Sequence, residues 1–170
     1  MTTNTKKLVT TALFAALTCV ATMIIQIPTV TKGYINLGDC IVLLSGYMLG
    51  PVYGGIAAGI GAALADIISS YTIYAPATFV IKFLVALCAG SIFRFGSKNI
   101  LKMIVAGIAG ELIMILGYFA YECFITSGGA AGAAAGIVGN VIQAVAGIIS
   151  STILAVILGN IKEIRKFFNV

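Results

Sequence analysis

The chain has no histidine and no tryptophan among its 170 residues, three prolines, four cysteines, and only 9% charged residues. Without histidine there is no Ser–His–Asp or Cys–His arrangement for nucleophilic catalysis, and no metal site built on imidazole. The cysteines, Cys19, Cys40, Cys88 and Cys123, are scattered with no C-x-x-C pair. Isolated thiols of this kind act as small apolar fillers, so they are assigned no metal or disulfide role. No G-x-x-x-x-G-K-[ST] phosphate loop occurs, which excludes ATP hydrolysis by that route. Gly59-x-Gly61 is only a fragment of a dinucleotide-binding pattern, and it lies inside an apolar run. The chain is therefore expected not to be an enzyme and to carry no cofactor. The scarcity of charge excludes more. A soluble domain has about 25% charged residues, whereas this chain is 61% hydrophobic with a mean hydropathy of +1.14. So much apolar surface cannot be hidden from water at this size. An integral membrane protein follows.

What the sequence does contain is a series of apolar runs. About 20 helical residues cross a hydrocarbon core of ~30 Å. Six runs are read, at 8–27, 37–50, 52–70, 77–93, 100–121 and 136–161. The second is short, since about 14 residues cover only ~21 Å, and is expected to be short, tilted or partly re-entrant. Gly50-Pro51 ends it, because proline disfavours helix at the residue before it. The expected fold is all-α, a single membrane domain over 1–170 with six transmembrane helices. Loops are short apart from 28–36 (PTVTKGYIN) and 122–135, which contains SGGAAGAAAG. Low complexity leaves the latter as flexible loop or as the first turns of helix six.

Basic residues set the orientation. With the N-terminus in the cytoplasm, Lys6, Lys7, Arg94, Lys98, Lys102, Lys162, Arg165 and Lys166 all fall at cytoplasmic ends. Lys32 alone is in an outer loop, and Lys82 lies within a span. Both termini are then cytoplasmic, and the net charge of +5 needs no nucleic-acid partner. Lys6-Lys7 before an apolar run also fits a signal peptide, and Leu17-Thr18-Cys19 weakly fits a lipoprotein site. The run is long, however, and no small-x-small cleavage site follows it. It is read as a retained first helix.

Small residues recur at helical spacing, in Ala12/Ala16, Gly46/Gly50, Gly55/Gly59 and Ala58/Ala62. Such pairs let helix backbones approach closely in lipid. Packing within the bundle accounts for most of them. The Ala12/Ala16 face, toward the cytoplasmic half, is also a candidate partner surface.

Ionisable residues inside a membrane cost roughly 2.5–3.5 kcal/mol each near a helix centre and are functional candidates by default. Here they are Asp39, Asp66, Lys82 and Glu111, joined by uncharged Asn140 and Gln143. Asp66 falls ~6 Å and Lys82 ~8 Å below the outer surface. Asn140 and Gln143, three apart, share a face in the outer third of helix six. Tyr118 stands two turns above Glu111. The inner half has almost no polar residues. That asymmetry points to a cup open on one side rather than a continuous proton or ion path. Several roles stay open. Asp66 and Lys82 are either a helix-pinning ion pair or two walls of the cup. Asn140 and Gln143 either bind cargo or bridge helices. Asp39 reads as the N-cap of helix two, and Glu122 as a solvated loop residue.

Three strings carry a resemblance: Ala12-x-x-x-Ala16 within ALFAALTCVA, then YINLGDCIVLLSGYMLGPVYGG, then GIGAALADIISSYTIYAPATFVIKFLVAL. Together with the six-helix pattern they resemble the substrate-binding S component of an energy-coupling factor (ECF) vitamin transporter, over 12–87. The last two helices match in length and hydropathy. The nearest subgroup is riboflavin-type, which also holds pyridoxine-like and hydroxymethylpyrimidine-like members. The resemblance implies a multi-pass protein of a prokaryotic cell membrane that captures a vitamin or precursor from outside. It implies a transmembrane coupling (T) protein and two cytosolic ATPases as partners, whose ATP hydrolysis topples the S component and releases cargo inside. Ala12 and Ala16 correspond to the family's docking surface. The candidate substrate-binding set is Asn36, Asp66, Tyr74, Lys82, Glu111, Tyr118, Asn140 and Gln143. Candidate ring-stacking groups are Tyr34, Tyr71, Tyr74 and Tyr118. With no tryptophan, and with the mixed charges of Asp66, Lys82 and Glu111, a pyridoxine- or hydroxymethylpyrimidine-type cargo is expected ahead of riboflavin. Two rival readings are a stand-alone secondary transporter coupled to protons through Glu111 or Asp66, and an assembly subunit with no ligand.

Overall fold

The computed structural model describes residues 3–95, 99–162 and 164. Lys98, Arg165 and Lys166 lie outside the described residues. Among the described residues there are six helices: α1 (Thr3–Ile24), α2 (Gly38–Leu49), α3 (Pro51–Ile68), α4 (Ala75–Arg94), α5 (Ile100–Ile125) and α6 (Gly129–Gly159). Five of them are long and apolar enough to cross a membrane, and α2, at 12 residues, is not. The reason is its position. It packs against α1, α3, α4 and α6 at the centre of the bundle, and most of its residues are buried. A helix enclosed by other helices is not required to match the lipid thickness.

Around α2, packing runs α1 to α3 to α4 to α5 to α6. The helices alternate in direction, so both ends of the described chain fall at one end of the bundle, here called the terminal end. Lys6, Lys7, Arg94, Lys102 and Lys162 sit there, while Lys32 is at the opposite end.

The α2–α3 connection is a single residue, Gly50, with φ 82°. That backbone favours glycine, and a Cβ there would also strike the Arg94 guanidinium. Pro51 opens α3 at its first turn, where its missing N–H costs nothing. Asn99 caps α5 by accepting from the Lys102 N–H at 2.9 Å.

One segment differs from expectation, and another is decided between its two alternatives. Residues 28–36 are not a plain loop. Gln26–Pro28 (β1) and Tyr34–Asn36 (β2) pair antiparallel, with Gln26 opposite Asn36 and Pro28 opposite Tyr34. The turn closes through Thr29 N to Gly33 O (2.9 Å) and Lys32 N to Thr29 O (3.1 Å), with Lys32 at φ 64°. Residues 122–135 are almost entirely helical: α5 runs through Ile125, and α6 begins at Gly129. Alanine is the strongest helix former, so the alanines of AAGAAAG extend helix six despite the low complexity.

The terminal half is packed backbone to backbone. A Cβ on Gly46 would lie 2.6 Å from the Ala86 carbonyl oxygen, and one on Gly90 would lie 2.6 Å from that of Gly46. Leu43, Tyr47, Val85, Ala89 and Phe93 fill the space around this α2–α4 crossing. α1 stands at the edge of the bundle, with Ala12 and Ala16 exposed on its outward face.

Candidate functional site

The hairpin sits over the opposite end and contacts α1 and α6. Beneath it is a recess of about 490 Å³, open mouth included. Thr22 of α1 and Ala62 and Asp66 of α3 form one side. Tyr74 at the start of α4, with Thr78 and Lys82, forms the next. Tyr118 and Glu122 of α5, then Gly136, Asn140 and Gln143 of α6, complete the wall. The hairpin contributes Thr29, Thr31, Gly33, Tyr34 and Asn36 from above. Seven of the eight candidate residues are thus brought together: Asn36, Asp66, Tyr74, Lys82, Tyr118, Asn140 and Gln143. Glu111 does not line the recess. It is buried to 1% exposure, close to Asp39 across Gly147.

Lys82 and Asp66 do not form an ion pair. Lys82 Nζ donates to Asp39 Oδ1 at 2.5 Å, with both side chains buried. Gln143 Nε2 donates to the other Asp39 oxygen at 2.6 Å, and Gln143 Oε1 accepts from the Asn36 N–H at 2.8 Å. A fully buried carboxylate must be matched by a cation and by donors, which explains the arrangement. Gln143 thus ties helix six to the hairpin through its carbonyl and to α2 through its amide nitrogen.

Asp39 is therefore not the N-cap of helix two. That position is Leu37, with no side-chain cap, and Asn36 Oδ1 accepts from the Gly38 N–H at 2.8 Å instead. Asp39 lies in the first turn, where the helix dipole also favours a negative charge.

Asp66 accepts a hydrogen bond from the Tyr34 hydroxyl at 2.5 Å. This ties the second hairpin strand to α3. Burial, reinforced by the Asp66 carboxylate, holds the Tyr34 phenol well above its ordinary pKa, so it remains a donor. Tyr71 packs on Tyr34 with ring centroids 4.5 Å apart. Tyr74 OH donates to the Thr31 carbonyl at 2.7 Å and also lies 3.3 Å from Glu122 Oε1. Its pKa too is raised, by burial first and then by Glu122. Thr78 Oγ1 and Tyr118 OH share a 3.1 Å hydrogen bond, and the Tyr118 ring lies 5.4 Å from Lys82 Nζ.

Glu122 is not a solvated loop residue. It belongs to α5, is buried to 4% exposure and faces the recess. The spacing of Glu111, Tyr118 and Glu122, seven and then four residues, is the signal that places all three on one helix face. The Asp39–Lys82 pair, 43 residues apart in the chain, left no comparable local signal. Thr22 and Thr78 left no signal, because threonine inside an apolar helix reads as packing, and Thr31 left none because it lies in the hairpin turn.

A family model for the ECF-type riboflavin transporter, S component, matches residues 2–160. A protein of Pyrococcus woesei described as "Uncharacterized protein in gap 3'region" is 37% identical over 131 residues, covering 76% of this chain and 86% of its own length. A solved structure of the S component of a bacterial ECF transporter has a TM-score of 0.72 to this chain at 20% identity, covering 92% of this chain and 97% of that one. At that identity the likeness is one of fold.

Proposed function

From the premise that this chain belongs to the ECF-type riboflavin transporter S component family, we propose that it captures a small water-soluble vitamin or precursor in the recess under the hairpin. The membrane segments and the family make it a transport protein rather than an enzyme. In the proposed orientation both termini are cytoplasmic, and the hairpin faces the outside of a prokaryotic cell. Cargo enters at the hairpin end and leaves to the cytoplasm when a T protein and two cytosolic ATPases drive the toppling step. Ala12 and Ala16, exposed on α1, are the proposed docking face, because small side chains admit a close partner helix.

The observation that carries this reading is the one-sided recess. Polar side chains from α1, α3, α4, α5, α6 and the hairpin converge there, while the α2–α4 crossing below is closed. A buried apolar plug suits a binding protein that must move as a body to deliver cargo. The cargo proposed is a pyridoxine- or hydroxymethylpyrimidine-type molecule, with riboflavin as the runner-up. Hydroxyls and carboxylates outnumber aromatic rings in the lining, which favours a small ring bearing several polar groups. Mass spectrometry of the small molecule co-extracted with purified protein tests this. A vitamin-class molecule at near-unit stoichiometry is expected, and an empty protein from vitamin-replete cells would refute capture.

One observation favours a second reading. Both Glu111 oxygens are buried and have no hydrogen-bond partner among the described residues. A proton-coupled carrier needs such a group. Vesicles containing this chain alone decide between the two: proton-driven uptake without ATPases would replace the S-component mechanism.

A further inference from the structure

The recess is unbalanced in charge. Among the described residues, Lys82 is the only lysine or arginine in its lining, and it is already matched by Asp39, which lies outside the lining. Two carboxylates remain, Asp66 on α3 and Glu122 on α5, on either flank of α4. They are 3% and 4% exposed, respectively. In each, one oxygen has no hydrogen-bond partner among the described residues: Oδ2 of Asp66 and Oε2 of Glu122. Tyr34 serves the other Asp66 oxygen, and the Tyr74 hydroxyl is near the other Glu122 oxygen.

A buried carboxylate oxygen without a donor is costly. Unlike Glu111, both Asp66 and Glu122 line the recess, so a bound molecule is placed to supply the missing N–H or O–H at two points. Gly136 packs closely on the second of these oxygens: a Cβ at that position would lie 2.5 Å from Glu122 Oε2, so helix six leaves room for the carboxylate only because the residue is glycine.

We infer that the cargo, under the capture function proposed above, is an uncharged or cationic molecule anchored at two ends by hydrogen-bond donors, one to Asp66 and one to Glu122. The recess selects against carboxylate- or phosphate-bearing molecules. An anion entering it meets two carboxylates and a lysine whose charge is already neutralised. Phosphorylated forms of an otherwise acceptable vitamin are thereby rejected by charge, before size enters.

Calorimetric titration of the purified protein with two matched pairs tests this: pyridoxine against pyridoxine 5′-phosphate, and riboflavin against riboflavin 5′-phosphate. In any pair that binds, the phosphate form is expected to bind at least tenfold more weakly. That gap should narrow at least threefold in Glu122→Gln or Asp66→Asn, with thermal unfolding confirming that the variants fold. A phosphate form that binds as tightly as its parent overturns the inference. So does a gap that both variants leave unchanged, since rejection is then by size. If neither pair binds, the co-extracted molecule decides. An uncharged or cationic one with two or more donors supports the inference, and a carboxylate or phosphate overturns it while leaving the capture function standing. A protein with neither titration signal nor co-extracted molecule removes the capture function itself.

Discussion

At the hairpin end, six segments turn oxygen and nitrogen atoms toward one recess, and the contacts between elements are hydrogen bonds from side chains. At the terminal end, α2 and α4 meet with glycine against carbonyl, and almost nothing polar intervenes. One half is held chiefly by pairs of polar side chains, the other chiefly by apolar packing and close backbone approach. Removing an atom harms the first, while adding one harms the second. The lesson is that one small bundle combines a closely packed end with a polar, open one.

The largest effect on stability is expected from adding bulk at the closed end. Gly46→Leu would drive a side chain into the Ala86 carbonyl. Overpacking costs about 1–3 kcal/mol where neighbouring side chains can shift; here the obstacle is backbone that cannot rotate away, so the loss is expected to exceed every one below and to prevent folding. Little folded, monodisperse protein is expected by size-exclusion chromatography; a normal yield would show that the α2–α4 crossing is looser than described.

Next comes Lys82→Met. It leaves Asp39 buried without its cation, a change that costs about 3–5 kcal/mol in such settings. A clear drop in the thermal unfolding midpoint is expected. The double variant Asp39→Asn/Lys82→Met should recover most of it. Equal midpoints for wild type and Lys82→Met would mean that the pair does not hold the hairpin end together.

A smaller effect is expected from Tyr34→Phe, which removes the hydroxyl serving Asp66. A lost hydrogen bond of this type is worth about 1 kcal/mol net, somewhat more when the acceptor is charged. A modest fall in midpoint should accompany faster release of co-extracted cargo in a dilution assay. No change in release would detach the hairpin from cargo retention.

The smallest stability effect is expected from Ala16→Trp, because Ala16 is exposed on α1. Midpoint and cargo binding should match wild type, while uptake in cells that supply the partner subunits is lost. Unimpaired uptake would remove this face from the docking surface.

The two halves also differ in how much of them could be read from sequence. The helices were legible because length and hydropathy report them directly, and even the shortness of α2 shows in the run from 37 to 50. Gly50-Pro51 marked its end correctly. Composition left 122–135 open between loop and the first turns of helix six, where alanine propensity decides for helix from Gly129, and it misled at 28–36, where a hairpin needs only two three-residue strands. TVTKG, with glycine at its end, between Ile- and Tyr-containing flanks, is a turn signal of the kind that joins such strands. For the recess, depth and helix face brought Asp66, Lys82, Asn140 and Gln143 to the right end. Pairing was not legible. Whether Lys82 turns to Asp66 or Asp39 depends on which helix lies across from it, and central α2 is what brings Asp39 within reach.

Asn140 lines the recess from α6 and takes part in none of the hydrogen bonds described above, so filling space at that position tests the recess without removing a support. Asn140→Trp and wild-type protein, purified side by side, would be compared by mass spectrometry for co-extracted small molecule. Binding under the hairpin predicts near-unit occupancy in wild type and an empty but folded Asn140→Trp. Equal occupancy in the two would place the cargo elsewhere.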